Sequence, residues 1–71
     1  MAVVRAEMAG KVLEVCVAKG DAVSEDQDLV IIESMKMEIT IVASRAGRVR
    51  EVRCAEGRPV NAGETLVVLE T

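Results

Sequence analysis

The chain has 71 residues, enough for one domain with a small hydrophobic core. Apolar residues make up 51% of it, yet Phe, Tyr and Trp are all absent, and the formal charge is −3. Without a basic excess, or aromatic rings on which bases could stack, the sequence predicts no nucleic-acid partner. The absence of histidine removes the commonest general base and metal ligand, so we expect neither an enzyme nor a metal site. No apolar segment is long enough to cross a membrane, and we expect a cytoplasmic protein.

An internal repeat organises the chain. Residues 9–33 and 46–70 share one pattern at a constant offset of 37 positions, with no gap. The matched pairs include Ala9/Ala46, Gly10/Gly47, Gly20/Gly57, Leu29/Leu66 and Glu33/Glu70. A solenoid needs at least three repeats. Two copies instead predict a closed structure with a pseudo-two-fold axis, formed by residues 1–71 as a single domain.

Each copy has the pattern of short strands joined by tight turns. A glycine turn lies at Gly20 in the first copy and at Gly57 in the second. In the next turn Asp26 occupies the place of Gly63, and Asp is one of the few residues that tolerate left-handed backbone. The segment before Leu29 could also be a capping box that opens a helix from Leu29 to Ile41. The β-branched content and the glycine in the second turn favour strands over that helix.

The repeat also assigns the two cysteines to opposite faces. Cys54 matches Val17, whose position in the alternating pattern faces the core together with Val15. Cys16 matches Arg53 and should point outward. Because the two thiols then lie on opposite faces, and two cysteines at this spacing cannot form a zinc site, we expect both to be free.

The longest apolar ribbon is interrupted once, by Glu33-Ser34-Met35-Lys36-Met37-Glu38. A hairpin with Met35 and Lys36 as its two turn residues would pair Glu33 with Glu38. On this register four β-branched residues line one face and suit a core, namely Val30, Ile32, Ile39 and Ile41. A three-residue loop would mix polar and apolar side chains on both faces. The sequence therefore predicts a two-residue turn within a tip at residues 34–37.

Two local rules are broken at this turn. Its central residues need positive φ, which favours Gly, Asn or Asp over Met and Lys. Glu33 opposite Glu38 adds a like-charge repulsion of about 0.2–1 kcal/mol. Such breaks are expected where selection has acted on function rather than on stability. We therefore single out Lys36 as the functional residue, in preference to a solvated loop lysine between two methionines that merely fill gaps in the core.

The stretch from Glu33 to Glu38, with Lys36 between Met35 and Met37, resembles the attachment motif of the biotinyl/lipoyl attachment domain family. The resemblance is closest to single-domain biotin/lipoyl attachment proteins and biotin carboxyl carrier domains. It implies a flattened barrel of two four-stranded antiparallel sheets with pseudo-two-fold symmetry, a barrel-sandwich hybrid, with Lys36 exposed at a hairpin tip. The ungapped repeat leaves no room for the protruding thumb loop of some carrier proteins.

The resemblance also implies a function. Lys36 would be covalently biotinylated by a biotin protein ligase, and the domain would carry a carboxyl group between biotin carboxylase and carboxyltransferase sites. An exposed lysine amine is almost entirely protonated at neutral pH, so the ligase must supply biotin in activated form. Met35 and Met37 would fill apolar recesses of the ligase. Glu33 and Glu38 would contact a basic ligase surface.

Two alternatives stay open. Lipoyl domains present the same hairpin, but typically with an acid before the lysine and a small residue after it, where this chain has Met35 and Met37. Lipoate on Lys36, alone or besides biotin, is therefore the less favoured cofactor. An unmodified β-barrel module whose acidic tip binds a basic partner is the remote alternative. A small closed barrel with an acidic surface predicts a monomer.

Overall fold

The computed structural model describes all 71 residues and consists of eight β-strands without a helix. The strands are β1 (Ala2–Arg5), β2 (Gly10–Val15), β3 (Ala22–Val23), β4 (Asp28–Ser34), β5 (Met37–Val42), β6 (Gly47–Val52), β7 (Pro59–Val60) and β8 (Thr65–Glu70). They form two four-stranded antiparallel sheets. The terminal sheet, which holds both chain ends, has the order β1-β8-β6-β3, and the hairpin sheet has the order β5-β4-β2-β7. The predicted all-β architecture is confirmed, and no part of the chain forms a membrane-spanning helix.

The two sheets are copies of each other at the offset of 37 residues. Replacing each strand of the hairpin sheet by its partner in the repeat turns one strand order into the other. Each sheet also has two bulges, and these lie at repeat-related positions. They are at Leu13 and Leu29 in the hairpin sheet and at the matching Arg50 and Leu66 in the terminal sheet. Because β1 matches residues 39–42 of β5, the repeat extends to residues 2–33 and 39–70, beyond the boundaries expected from the sequence.

The core between the sheets is built from aliphatic side chains alone. Its largest fully buried members form four repeat-related pairs, Val12/Val49, Leu29/Leu66, Val30/Val67 and Ile32/Leu69. Burying one such side chain stabilises the fold by about 1.5–3 kcal/mol. Six of these eight residues lie on β4 or its twin β8, the interior strands that they anchor. The strand that leads into the hairpin tip is therefore held along its whole length.

The hairpin between β4 and β5 has the predicted register. Ile32 pairs with Ile39, Glu33 with Glu38, and Ser34 with Met37. Val30 and Ile32 are buried, whereas their partners on the edge strand β5 are half-buried. The side chains that face the core thus select the two-residue turn, and the alternative three-residue loop is wrong.

Three residues other than glycine have positive φ in this structure. They are Asp26 at 68°, Met35 at 54° and Lys36 at 64°. Asp26 thereby matches Gly63, whose φ is 84°. Met35 and Lys36 form the turn between β4 and β5 with positive φ at both central positions, as in a type I′ turn. Neither side chain suits that backbone, so the tip carries local strain of about 1–3 kcal/mol per residue at most.

Both cysteines are free, as expected. Cys16 is exposed, and Cys54 is half-buried at the margin of the core, where it packs against buried side chains. Burial raises the pKa of both thiols, and at Cys16 the carboxylates of Glu14 and Asp28 raise the pKa further. A raised pKa leaves less thiolate at neutral pH, so neither environment activates its cysteine as a nucleophile.

Replacing Met35 by Asn together with Lys36 by Gly should raise the free energy of unfolding by about 1–2 kcal/mol, because Asn-Gly adopts positive φ at both positions with little strain. Urea denaturation followed by circular dichroism measures this gain. Met37→Asn is the matched control, since Met37 begins β5 with ordinary strand backbone and should give no gain. An unchanged midpoint in the double variant would show that the turn is not strained.

Candidate functional site

Lys36 lies at the tip of the β4–β5 hairpin, between two exposed methionines. Met35 is 87% exposed and Met37 is 61% exposed. The interpretation of these methionines as gap-fillers in the core is therefore wrong. The exposed thioether side chains on both sides of Lys36 form a flexible apolar surface next to it. Methionine suits a surface that must adapt to a partner.

The lysine amine stands in the open rather than in a pocket. Lys36 is exposed and forms no ion pair with the protein. The two surface cavities of the structure lie elsewhere, one beside Cys54 and the other on the outer face of the terminal sheet. A catalytic lysine is usually desolvated in an apolar pocket that makes it a nucleophile. Here the arrangement suits covalent attachment of a group that must reach other proteins.

Ser34 connects the end of β4 to the residue that precedes β2. It is a buried polar side chain, 8% exposed, and its Oγ donates a hydrogen bond to the carbonyl oxygen of Ala9 at 2.8 Å. Next to Ala9, the backbone of Gly10 lies so close to β4 that an added Cβ would be 2.5 Å from the carbonyl oxygen of Glu33. β2 therefore holds β4 immediately before the turn. This contact fixes where the tip begins.

The sequence prediction gave Ser34 no role, although one signal was available. Ser34 continues the alternation of Val30 and Ile32, so it occupies a core-facing position with a hydroxyl group. A polar residue at such a position needs a buried partner. The identity of that partner, Ala9, depends on the pairing of β2 with β4 and could not be read from the local pattern.

The two glutamates form a row with a lysine on the outer face of the hairpin sheet. Glu33 lies opposite Glu38 on one side and opposite Lys11 of β2 on the other. All three side chains are exposed, and no ion pair forms among them. Lys11 nevertheless offsets part of the repulsion between the carboxylates, which the sequence prediction treated as uncompensated. The row places negative charge on the sheet face just below the tip.

All five predicted site residues thus belong to one hairpin but occupy two different surfaces. Met35, Lys36 and Met37 form the exposed tip. Glu33 and Glu38 lie side by side on the adjoining sheet face. A protein that binds the tip end-on meets the methionines first, and only a partner that extends along the sheet also meets the glutamates.

The family described as biotin-requiring enzyme matches residues 2–69, nearly the whole chain. The chain is also similar to individual proteins of this kind. It is 55% identical over 40 residues to a biotinylated protein TB7.3 homolog of Mycolicibacterium smegmatis, a match that covers 56% of each chain. It is 51% identical over 39 residues to a biotin/lipoyl attachment protein of Bacillus subtilis, covering 55% of this chain and 53% of that one.

A biotin carboxyl carrier protein of Streptococcus mutans is 58% identical over 38 residues, which are 54% of this chain and 29% of the carrier protein. The chain therefore spans about half the length of the first two relatives and less than a third of the carrier protein.

Two solved structures superimpose on nearly the whole chain. One is a single-chain, multi-domain long-chain acyl-CoA carboxylase, with a TM-score of 0.88 and 33% identity over 93% of this chain and 7% of that one. The other is the Kluyveromyces lactis urea carboxylase, with a TM-score of 0.91 and 29% identity over 97% of this chain and 6% of that one. The family match over residues 2–69 shows that the chain belongs to the biotin/lipoyl attachment family of biotin-requiring proteins, and its fold is that of a segment of each of these two carboxylases.

Proposed function

We propose that this domain carries biotin in amide linkage to Nζ of Lys36, and that it moves a carboxyl group between biotin carboxylase and carboxyltransferase sites. The observation that carries the proposal is an exposed lysine between two exposed methionines at a strained hairpin tip. The similarity to a biotin carboxyl carrier protein and to the carboxylase structures supports it. The domain, which we take as residues 1–71, is then a substrate and a carrier rather than an enzyme.

The tip fits a tethered group better than an enclosed one. No cavity adjoins Lys36, so the chain's own residues could hold biotin only through the lysine. When bound, biotin supplies a ureido nitrogen that takes up and releases a carboxyl group. The domain contributes a firm base for the tether, since Ser34 and the buried side chains of β4 fix the hairpin below the turn.

Attachment requires help that this chain does not contain. The Lys36 amine must lose a proton before its lone pair can attack the carboxyl carbon of activated biotin, where the amide bond forms as the bond to the activating group breaks and that group leaves. The chain has no histidine, and Lys36 stands in solvent rather than in an apolar pocket that would favour the neutral amine. We infer that the ligase supplies both the activated acyl group and the base.

The residues around Lys36 would contribute to recognition by the ligase in two different ways. Met35 and Met37 offer apolar surface that a ligase can bury without reshaping the domain. Glu33 and Glu38 present two adjacent carboxylates to a basic ligase surface, where charge chiefly affects the association rate. Lipoate on the same lysine is not favoured by the flanking methionines. The monomeric state and the cytoplasmic location expected from the sequence stay predictions.

Replacing Lys36 by Ala should abolish biotinylation, because the amide can form only at the amine. Co-expression with a biotin protein ligase, detection with streptavidin and intact mass spectrometry provide the measurement, with a lipoate ligase tested in parallel. Lys19→Ala is the matched control, since Lys19 lies between β2 and β3, outside the hairpin, and should not affect labelling. Labelling that persists in the Lys36→Ala protein, or lipoylation without biotinylation of the natural chain, would contradict the proposal.

Replacing Met35 or Met37 by Ala should lower kcat/KM for biotinylation by about tenfold each, which corresponds to about 1.4 kcal/mol of lost apolar contact with the ligase. Stability should change by less than about 0.5 kcal/mol, because both side chains are exposed. Met8→Ala provides the control, since Met8 is an exposed methionine outside the hairpin. Equal kinetics in all three variants would leave the methionines without a role in recognition.

A further inference from the structure

The outer face of the terminal sheet carries a basic groove whose twin in the repeat is acidic. The groove, with a volume of about 420 Å³, is lined by Arg5, Arg50 and Arg53 and by one acid, Glu51. The corresponding positions on the hairpin sheet contain no basic residue. The acids there are Glu14, Asp28 and Glu38, at the places of Glu51, Thr65 and Met1. Two faces with the same strand order therefore have opposite charge.

This difference is not required by the fold. Arg5, Arg50 and Arg53 correspond to Val42, Leu13 and Cys16, three uncharged residues on the hairpin sheet. The backbone is the same at both faces, down to the bulge that holds Arg50 in one sheet and Leu13 in the other. Because the repeat builds the same surface with and without arginines, their presence on one face alone indicates a role outside folding.

The floor of the groove is apolar. Val3 on β1 is 46% exposed, and Val68, its pairing partner on β8, is half-buried. Met1 is exposed at one end of the groove. Exposed aliphatic side chains bordered by arginines favour a ligand with both apolar side chains and carboxylates.

The arginines retain most of their hydrogen-bonding capacity. Nη1 of Arg5 donates to the carbonyl oxygen of Gly63 at 3.3 Å, and Nη1 of Arg50 lies 3.1 Å from Sδ of Met1. Arg53 pairs with the carboxylate of Glu51. Arg5 and Arg50 therefore have no carboxylate partner within the chain, and each guanidinium has five N–H donors. Two uncompensated guanidinium groups can bind carboxylates in bidentate fashion.

We propose that this groove is a docking site for an extended acidic segment of a partner protein, in which acidic side chains meet Arg5 and Arg50 while apolar side chains cover Val3 and Val68. A nucleic acid fits less well, because the groove offers no aromatic side chain for a base to stack on. The groove lies on the terminal sheet and Lys36 on the hairpin sheet, so an occupied groove leaves the tip free. Docking does not depend on modification of Lys36.

A second copy of this chain is the other complementary occupant, since its hairpin sheet is acidic. Such a contact would join unlike faces and could repeat without closing, which gives filaments rather than a dimer. A short acidic segment of another protein matches the charge of the groove without this consequence, so we assign the groove to such a segment.

The test uses the full chain labelled with ¹⁵N, with and without biotin on Lys36, and a short end-blocked peptide of alternating glutamate and valine. We expect saturable amide shifts concentrated on β1, β6 and β8, weaker at physiological than at low salt. The variant R5E/R50E should weaken binding at least about tenfold. The control R45E/R58E makes the same change in net charge outside the groove and should weaken binding less than about threefold. The spectra themselves report whether each variant is folded.

Several outcomes would overturn the proposal. Shifts spread over both sheets, or equal weakening by the two double variants, would indicate a general charge effect. Tighter binding of a single-stranded oligodeoxynucleotide than of the peptide would indicate a polyanion site. Concentration-dependent self-association that R5E/R50E abolishes would indicate contact between copies. Because the unmodified chain is included, loss of biotinylation would not be mistaken for loss of docking.

Discussion

The pairing of β4 with β5 is the constraint on which the rest of the site depends. Val30 and Ile32 must face the core opposite Ile39 and Ile41, and a slip of one residue would turn all four outward. That register leaves only Met35 and Lys36 to reverse the chain, so both adopt positive φ. The burial of several aliphatic side chains outweighs strain of a few kcal/mol at the turn. Core packing thereby holds the exposed Lys36 in an unfavourable backbone conformation.

The two-fold repeat separates what the fold requires from what function has added. The core pairs, the bulges and the left-handed turns occur in both halves, and each sheet needs the other to cover its apolar face. The features without a counterpart are few. The tip at residues 34–37 corresponds to the two chain ends, and the hydrogen bond from Ser34 to Ala9 occurs once. The inverted charge of the two outer faces belongs to the same group of differences.

The hairpin was predictable because its information is local. Alternation of apolar residues on both sides of the tip is compatible with only one register. The repeat aligns Asp26 with Gly63, which predicted a left-handed turn at Asp26. β1 was not predicted as part of the repeat because it is only four residues long. In addition, no glycine marks a turn between β1 and β2, whereas Gly20 and Gly57 mark the turns after β2 and β6. Lys11 beside Glu33 was missed because that contact depends on long-range pairing across a bulge.

Under the proposed function the domain presents one group to several proteins in turn, which favours a rigid base and weak contacts. The tip satisfies both needs, since buried residues fix β4 while the turn itself contacts nothing that would compete with a partner. Under that function tight binding at the tip would block the next step, because each proposed partner would use Lys36. Affinity that does not obstruct Lys36 must therefore come from another surface, and a weak contact there raises the effective concentration of the tip near its partner. The basic groove that we propose as a docking site would provide such a surface without altering the hairpin.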